Sequence, residues 1–387
     1  MSISAGPFFG GVLLTLLAGV LNGGWNVCVK ASAPPAVRAI SAPGEEHPYK
    51  FSHAWCLGMF HAAWFNLAAC TIMLGPGTVG GVVEAAASKD LFLIVFFSFL
   101  WGLGTFGFGL AIQIAGIGMG TTLTMSVIVV VGTLLPLFLD VSDKLLTNSG
   151  LCIVLGLLVC SASFVFASVA LNRKDRDEAE LEGKRGDVEG GGAVVAPEGV
   201  IVKPAEEEEP PSTMYKVVVC VVTGLLCTPL QFAFVFSEDM RTAAEDDYGV
   251  APALSVAITF VFAITICGGT NALIALFQLH RGGDMDALWK NERRGVYFLK
   301  TFAFIALPWV SQSFLYGLSA SALLGEQMGP AIGWPVLIVT TNTTGLIIGW
   351  KLLGEWNVAK EDTLRMIKCA VASSVLGLAI IAAGGFA

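Results

Sequence analysis

Ten stretches of about twenty mainly apolar residues dominate this chain and limit the folds open to it. A helix of that length just crosses the ~30 Å hydrocarbon core of a bilayer. Hydrophobic residues fill 55% of the 387 positions and charged residues fill 13%, whereas soluble domains carry about 25% charged residues. The sequence therefore predicts an all-α multi-pass membrane protein. The predicted spans are 8–29, 52–74, 91–112, 117–139, 150–171, 215–237, 252–279, 296–319, 328–350 and 364–386.

The weakest boundary in this pattern is Gly116-Ile117-Gly118, between the third and fourth spans. If a single helix continues through it, the count falls to nine. The first stretch follows no basic residue and is long for a signal peptide, so we expect it to remain in the protein as the first span.

One long polar segment, residues 172–214, divides the spans into five and five. It begins with the charged run 173–178 and closes with four glutamates at 206–209 followed by two prolines. A segment with so much charge and so few apolar residues cannot bury enough surface to fold alone. The sequence therefore predicts a disordered acidic linker between a first half, 1–171, and a second half, 215–387.

The two halves resemble each other, which predicts an internal repeat. In each half a tryptophan in the third span is followed eight residues later by Gly-Leu. An odd number of helices in each repeat forces the second repeat to insert upside down, and inverted repeats around a midplane site are typical of secondary transporters. The matched positions are Trp101 and Gly109 with Trp309 and Gly317, Met119-Gly120 with Met328-Gly329, and Gly19 and Asn26 with Gly224 and Gln231.

Lysines and arginines predict the orientation of the spans. When loops are numbered by the spans that they join, the odd-to-even loops hold all but three of the 22 basic residues. The three exceptions are Lys89, Lys144 and Arg241. Because basic loops tend to stay in the cytoplasm, we expect a cytoplasmic linker and non-cytoplasmic termini, in either the plasma membrane or an internal membrane.

Several glycine- and tryptophan-rich stretches resemble the L-rhamnose–proton symporter family of the drug/metabolite transporter superfamily. They are Gly23-Gly24-Trp25, Trp101-Gly102-Leu103-Gly104, Gly118-Met119-Gly120, Gly132-Thr133-Leu134 and Glu355-Trp356-Asn357. The resemblance implies ten helices in two inverted five-helix repeats, the drug/metabolite transporter fold. It also implies proton symport of a deoxysugar such as L-rhamnose by alternating access. The chain departs from the family at 105–108, where the bacterial proteins carry polar and tyrosine side chains, and in its long linker.

Polar side chains in mid-span are the candidates for contact with a solute, because a polar group that faces lipid is costly. Asn22 and Asn26 share one helix face, as do Gln312 and Tyr316. Gln231 follows a proline, and Asn342 lies within a run of five polar residues. Hydrogen bonding between helices is the alternative for each of them. The predicted solute contacts are Asn22, Trp25, Asn26, Trp101, Gln231, Trp309, Gln312, Tyr316 and Asn342.

Proton coupling needs a group that titrates inside the membrane, and His61 is the titratable side chain well inside a span. Of its nearby polar and aromatic neighbours Trp64 and Asn66, only Trp64 shares its helix face. The alternative is a neutral histidine bonded to a backbone carbonyl. Glu326, at the start of the ninth span, is the second candidate, with a solvated helix end as its alternative.

Absent motifs exclude several other classes. No GxxxxGK[ST], GxSxG or HExxH occurs, and the nine cysteines form no CxxC or Cys/His cluster. We therefore expect no enzyme activity, metal or cofactor, and no nucleic-acid partner. The expected partners are a small neutral solute, the bilayer, and protons with sodium as the alternative ion; whether a second copy forms a homodimer is left open. The alternative is an exporter or exchanger of nucleotide sugars or other metabolites from the same superfamily. A channel and an intramembrane enzyme are further alternatives.

Overall fold

The computed structural model describes residues 5–31, 49–140, 147–189, 211–324 and 332–384. Helices joined by short turns make up these ranges, and none of the described residues forms a strand. The helices are α1 (Ala5–Ala31), α2 (Phe51–Leu74), α3 (Pro76–Ala85), α4 (Ser88–Ala115), α5 (Ile117–Asp140), α6 (Asn148–Glu189), α7 (Thr213–Cys227), α8 (Pro229–Phe236), α9 (Glu238–Asp246), α10 (Pro252–Arg281), α11 (Asp286–Lys290), α12 (Arg294–Thr301), α13 (Leu307–Leu318), α14 (Trp334–Lys351) and α15 (Glu361–Gly384). Two π-helical segments, π1 (Phe302–Ala306) and π2 (Ser319–Leu323), flank α13.

Eight helical segments within the described ranges are long and apolar enough to cross a bilayer, which makes the chain an all-α multi-pass membrane protein. The sequence predicts ten spans; the predicted fourth and ninth are helices α5 and α14, which are not among the eight. In helix α5 the segment Ile117–Thr133 is apolar but by itself too short for a span, and the sequence that follows it as far as Leu139 is also apolar. Helix α14 carries the polar run 340–344, which lowers its hydropathy. The eight segments are Pro7–Val29, Phe51–Leu74, Ser88–Ala115, Gly150–Glu178, Thr213–Asp246, Pro252–Arg281, Arg294–Leu318 and Glu361–Gly384.

Breaks divide the predicted sixth and eighth spans near their middles. Helix α7 ends at Cys227 and α8 begins at Pro229, because proline has no N–H to donate to the preceding turn. In the eighth span, π1 separates α12 from α13, and π2 follows α13 at the end of the span. Single-turn π-helices often occur at functional sites, and α13 carries the polar and aromatic residues that the sequence analysis selects.

Helix α6 continues past residue 171, where the sequence analysis starts the disordered linker, and ends at Glu189. Acidic side chains anchor this extension: Asp175 pairs with Lys216 at 3.0 Å, and Asp177 accepts a 2.8 Å bond from Thr363 near the start of α15. The hydrogen bond from Lys360 to Glu180 holds the lysine's pKa above its usual value. Residues 190–210 of the predicted linker lie outside the described residues.

The helices of the two predicted halves pack against each other rather than as two separate bundles. Many helix pairs join the halves directly, among them α2 with α10, α5 with α14 and α6 with α15. Helix α1 packs on α13 and α14, and α4 packs on α7, α8 and α10. The interior of the bundle is therefore lined by helices from both halves.

Glycine allows a close crossing between α6 and α15. A Cβ atom added at Gly156 would lie 2.7 Å from the carbonyl oxygen of Gly377, and one added at Gly377 would lie 2.6 Å from that of Gly156. Any side chain at either position would push the two backbones apart. Small residues at such crossings are a common basis of helix association in membranes.

Two adjacent glycines of α10 provide a matched test of this packing. A Cβ at Gly268 would lie 2.8 Å from the carbonyl oxygen of Met59, whereas one at Gly269 meets no atom within 4 Å. We expect Gly268→Ala to destabilise the protein by about 1–3 kcal/mol through overpacking. Gly269→Ala adds the same methyl group and should leave the thermal midpoint in detergent unchanged. Equal midpoints for the two variants would contradict the α2–α10 packing.

Candidate solute-binding cavity

A cavity with about 680 Å³ of space free of protein atoms lies in the middle of the bundle. Its walls come from α1, α4, α5, α7, α8, α10, α13 and α14, and so from both halves of the chain. The lining residues are Asn22, Trp25, Trp101, Thr105, Phe108, Met125, Ile128, Cys227, Leu230, Phe234, Phe260, Trp309, Gln312, Ser313, Tyr316, Trp334, Leu337 and Ile338.

Tryptophan rings form one wall of the cavity. The Trp309 ring centroid lies 6.0 Å from that of Trp25 and 6.0 Å from that of Trp101, so α13 joins α1 to α4 through this indole. Tyr316, two turns further along α13, lies 5.8 Å from the Trp334 ring on α14. The tilted and edge-to-face angles of these pairs are the arrangements that aromatic quadrupoles prefer.

Amide groups provide the hydrogen-bonding atoms. The Asn22 oxygen accepts a 2.9 Å bond from the indole N–H of Trp25, and its amide nitrogen donates to Thr341 Oγ1 at 3.1 Å. Gln312 donates from Nε2 to Ser313 Oγ at 2.8 Å. Its Oε1 is buried and has no partner among the described residues. A buried acceptor without a partner is costly, and a solute hydroxyl can satisfy it.

Among the described residues that line the cavity there is no aspartate, glutamate, lysine, arginine or histidine. An ion that enters such a space would lose its hydration without a compensating charge, whereas a neutral solute would not. The aromatic wall offers an apolar platform and the amides offer donors and acceptors. The lining therefore suits an uncharged molecule with both an apolar face and hydroxyl groups.

The structure brings together most of the predicted solute contacts, namely Asn22, Trp25, Trp101, Trp309, Gln312 and Tyr316. Three others do not line the cavity. Asn26 is fully buried and donates to the carbonyl oxygen of Asn22 in its own helix. Gln231 and Asn342 are also buried among the helices, each with one amide atom that lacks a partner among the described residues.

Neither predicted proton-coupling residue lines the cavity. His61 accepts a 3.0 Å bond at Nδ1 from the indole N–H of Trp64 and packs against Phe298 and Phe302 at ring distances of 6.0 and 5.9 Å. With Nδ1 occupied as an acceptor, the neutral ring carries its proton on Nε2, which has no partner within the described ranges. Glu326 lies outside the described residues.

The sequence analysis missed several lining residues that helical spacing could have found. Thr105 and Phe108 lie one and two turns after Trp101, and Ser313 lies one turn after Trp309. Extension of each predicted face by one more turn would have included them. Phe234 likewise lies one turn after the predicted contact Gln231 on α8. Trp334 and Phe260 lie elsewhere in the chain, and no local spacing connects them to the predicted site.

In the part of the chain that the structure describes, no group of three or more histidine, cysteine, aspartate or glutamate side chains could hold a metal ion. No family model, no curated protein and no solved structure matches the chain. The geometry of the cavity is therefore the main evidence on function.

Proposed function

We propose that this protein is a secondary active transporter of a small neutral solute, such as a monosaccharide or the deoxysugar L-rhamnose, that works by alternating access and proton symport. The observation that carries the proposal is the uncharged, aromatic and amide-lined cavity between the two halves of the bundle. A sugar presents an apolar ring face, which the wall of Trp25, Trp101 and Trp309 can contact, and hydroxyl groups for Asn22 and Gln312.

The proposal includes ten helices in two inverted repeats, and reciprocal contacts support the repeat. Asn66 of α2 donates to the Phe260 carbonyl of α10 at 2.7 Å, and Asn271 of α10 accepts from the Trp55 indole of α2 at 3.0 Å. The two asparagines are separated along the chain by the same number of residues as Trp55 and Phe260. Exchange of the halves therefore maps one residue pair onto the other, although asparagine is the donor in the first pair and the acceptor in the second.

A second pair of contacts supports the same exchange. A Cβ at Gly19 of α1 would lie 2.9 Å from the Leu337 carbonyl of α14, and one at Gly224 of α7 would lie 2.9 Å from the Thr124 carbonyl of α5. Gly19 and Gly224 are the pair that the sequence repeat matches, and their partners lie on α14 and α5, so the pair α1–α14 corresponds to α7–α5. The partner residues Thr124 and Leu337 are further apart along the chain than Gly19 and Gly224, so the correspondence is between helices and not residue by residue. In two-repeat transporters the site between the repeats opens to each side in turn as one half rocks against the other.

The proposed orientation puts the linker in the cytoplasm and both termini outside it, in the plasma membrane or an internal membrane. We expect a tag inserted near Gly190 to react with a membrane-impermeant probe only after permeabilisation, because basic residues concentrate on that side. A tag after Ala387 should react without permeabilisation when the protein is at the plasma membrane. Reaction of the Gly190 tag in intact cells would reverse the orientation.

The runner-up, an exporter of nucleotide sugars or other phosphorylated metabolites, fits the cavity less well. A phosphate group is normally bound by arginine or lysine, and none lines this space. Uptake into proteoliposomes separates the two functions. We expect L-rhamnose or D-glucose to enter, and to accumulate when the lumen is alkaline, while glucose 6-phosphate and UDP-glucose stay outside. Transport of only the phosphorylated compounds would overturn the proposal.

Proton coupling through His61 belongs to the same proposal. Its ring packs against Phe302, the first residue of π1, which precedes the cavity-lining helix α13. Protonation of Nδ1 would break the bond from Trp64 and disturb the packing of His61 on Phe302 at the start of π1. His61→Gln can form hydrogen bonds but cannot take up a proton. We expect it to keep solute exchange and to lose pH-driven accumulation, both measured on the same vesicles. Accumulation equal to that of the parent protein would assign coupling to Glu326, to sodium or to no ion.

A further inference from the structure

A second, smaller cavity lies nearer one end of the bundle, where α2 begins and where α4 and α10 end. It has about 340 Å³ of space free of protein atoms. The ion pair between Lys50 and Asp284, at 2.8 Å, marks the polar boundary of the bundle at this end. The lining residues are Phe51, Ser52, Trp55, Phe106, Gly109, Leu110, Gln113, Ala275 and Gln278.

Trp55 separates this cavity from the central one. Its ring lies 5.6 Å from that of Trp25, which lines the central cavity, and stacks at 5.6 Å on that of Phe51. Its indole N–H is held by Asn271 at 3.0 Å. Gly109 leaves room for the ring, since a Cβ there would lie 2.9 Å from it. The Trp25–Trp55 pair is therefore a thin aromatic partition between the two spaces.

The chemistry of the second cavity repeats that of the first. Phe51, Trp55 and Phe106 provide aromatic surface, and none of the described lining residues carries a charge. The side chains of Ser52, Gln113 and Gln278 form no hydrogen bond to other described residues. Their donors and acceptors are thus available to a ligand. Amides and a hydroxyl beside aromatic rings favour a neutral polyhydroxylated molecule over an ion.

We infer that this cavity is a second subsite for the same neutral solute, which it holds before or after passage across the Trp25–Trp55 partition. We call it the outer subsite because it lies farther from the middle of the bundle, at the end that the proposed orientation places toward the cytoplasm. The inference rests on the proposed transport function. The outer subsite should bind more weakly than the central one, because it is about half as large and because Gln113 and Gln278 are exposed. Passage between the two sites requires Trp25 or Trp55 to turn aside, which breaks the bond from Trp25 to Asn22 or the bond from Trp55 to Asn271.

Equilibrium binding of tritiated L-rhamnose to the purified protein tests the subsite. If another neutral sugar is taken up faster in the proteoliposome panel, that sugar is the probe. We expect the parent protein to bind two molecules per chain and the double variant Gln113→Ala/Gln278→Ala to bind one, with the tighter affinity changed less than twofold. Both glutamines are exposed, so the double variant should fold normally. Asn148→Ala, which removes an exposed amide far from both cavities, is the matched control and should bind two.

Ser52→Leu fills the outer cavity from a second position and should also reduce the stoichiometry to one. Trp309→Leu should remove the tighter site and leave the weaker one. Binding of a single molecule that the glutamine variants do not affect would overturn the outer subsite while the central site stands. If none of the tested sugars binds to the parent protein, the proposed function fails together with the subsite.

Discussion

Replacement of Trp309 by leucine is expected to lower kcat/KM for solute uptake at least about a hundredfold, or ~2.8 kcal/mol at ~1.4 kcal/mol per tenfold. Trp309 contacts both Trp25 and Trp101 at 6.0 Å and so holds the aromatic wall of the central cavity together. Each aromatic pair is worth about 0.5–1.5 kcal/mol beyond the area it buries. The variant loses both pairs and the platform that the solute contacts.

Two further variants separate binding from folding in this test. Trp309→Phe keeps a ring and should lose less activity than the leucine variant. Trp289→Leu removes a tryptophan that is 56% exposed and does not line the cavity, so its uptake should match that of the parent protein. Thermal midpoints identify variants that fail to fold. A stable Trp309→Leu variant with parental uptake would show that the solute binds elsewhere.

The second large effect is expected at Glu355, in the turn between α14 and α15. Its two carboxylate oxygens accept bonds from the backbone N–H groups of Ile117 at 2.8 Å and Gly118 at 2.9 Å, at the start of α5. Hydrogen bonds to a charged group are worth about 1.5–3 kcal/mol each, and the helix dipole adds to them. We expect Glu355→Ala to destabilise the protein by about 3 kcal/mol or more, measured by thermal unfolding in detergent.

Glu355→Gln keeps one acceptor oxygen and should be destabilised less than the alanine variant. Glu361→Gln is the control, because that side chain is 76% exposed and pairs only with neighbours on its own helix. Exposed ion pairs contribute about 0–1 kcal/mol. An alanine variant at Glu355 that unfolds at the parental midpoint would contradict the role of this carboxylate in joining α5 to α14.

Apolar periodicity and helical spacing predicted much of the bundle and part of the cavity. Gln312 and Tyr316 line the cavity because they share with Trp309 the face of α13 that is turned toward the cavity. The same spacing rule fails to distinguish Asn22 from Asn26. They lie on one face of α1, but only Asn22 lines the cavity. The Asn26 amide donates instead to the Asn22 carbonyl oxygen in its own helix.

Features that depend on other helices could not be read from local sequence. Trp334 reaches the cavity because α14 crosses the bundle beside α5 and α1, a fact of packing rather than of spacing. Helix α6 continues into the predicted linker because Lys216 and Lys360 pair with its carboxylates from other parts of the chain. His61 lies in the middle of its span, as predicted, but its ring packs against Phe298 and Phe302 and does not line the cavity.

Counterflow in proteoliposomes tests most directly whether the central cavity serves a carrier. Vesicles are loaded with unlabelled L-rhamnose, or the neutral sugar that the uptake panel selects, and diluted into a trace of the labelled compound without a pH gradient. A carrier whose site faces one side at a time exchanges label for unlabelled solute, so we predict a transient accumulation above equilibrium that Trp309→Leu abolishes. Label that rises only to equilibrium without an overshoot, or an overshoot that persists in a folded Trp309→Leu variant, would contradict the account.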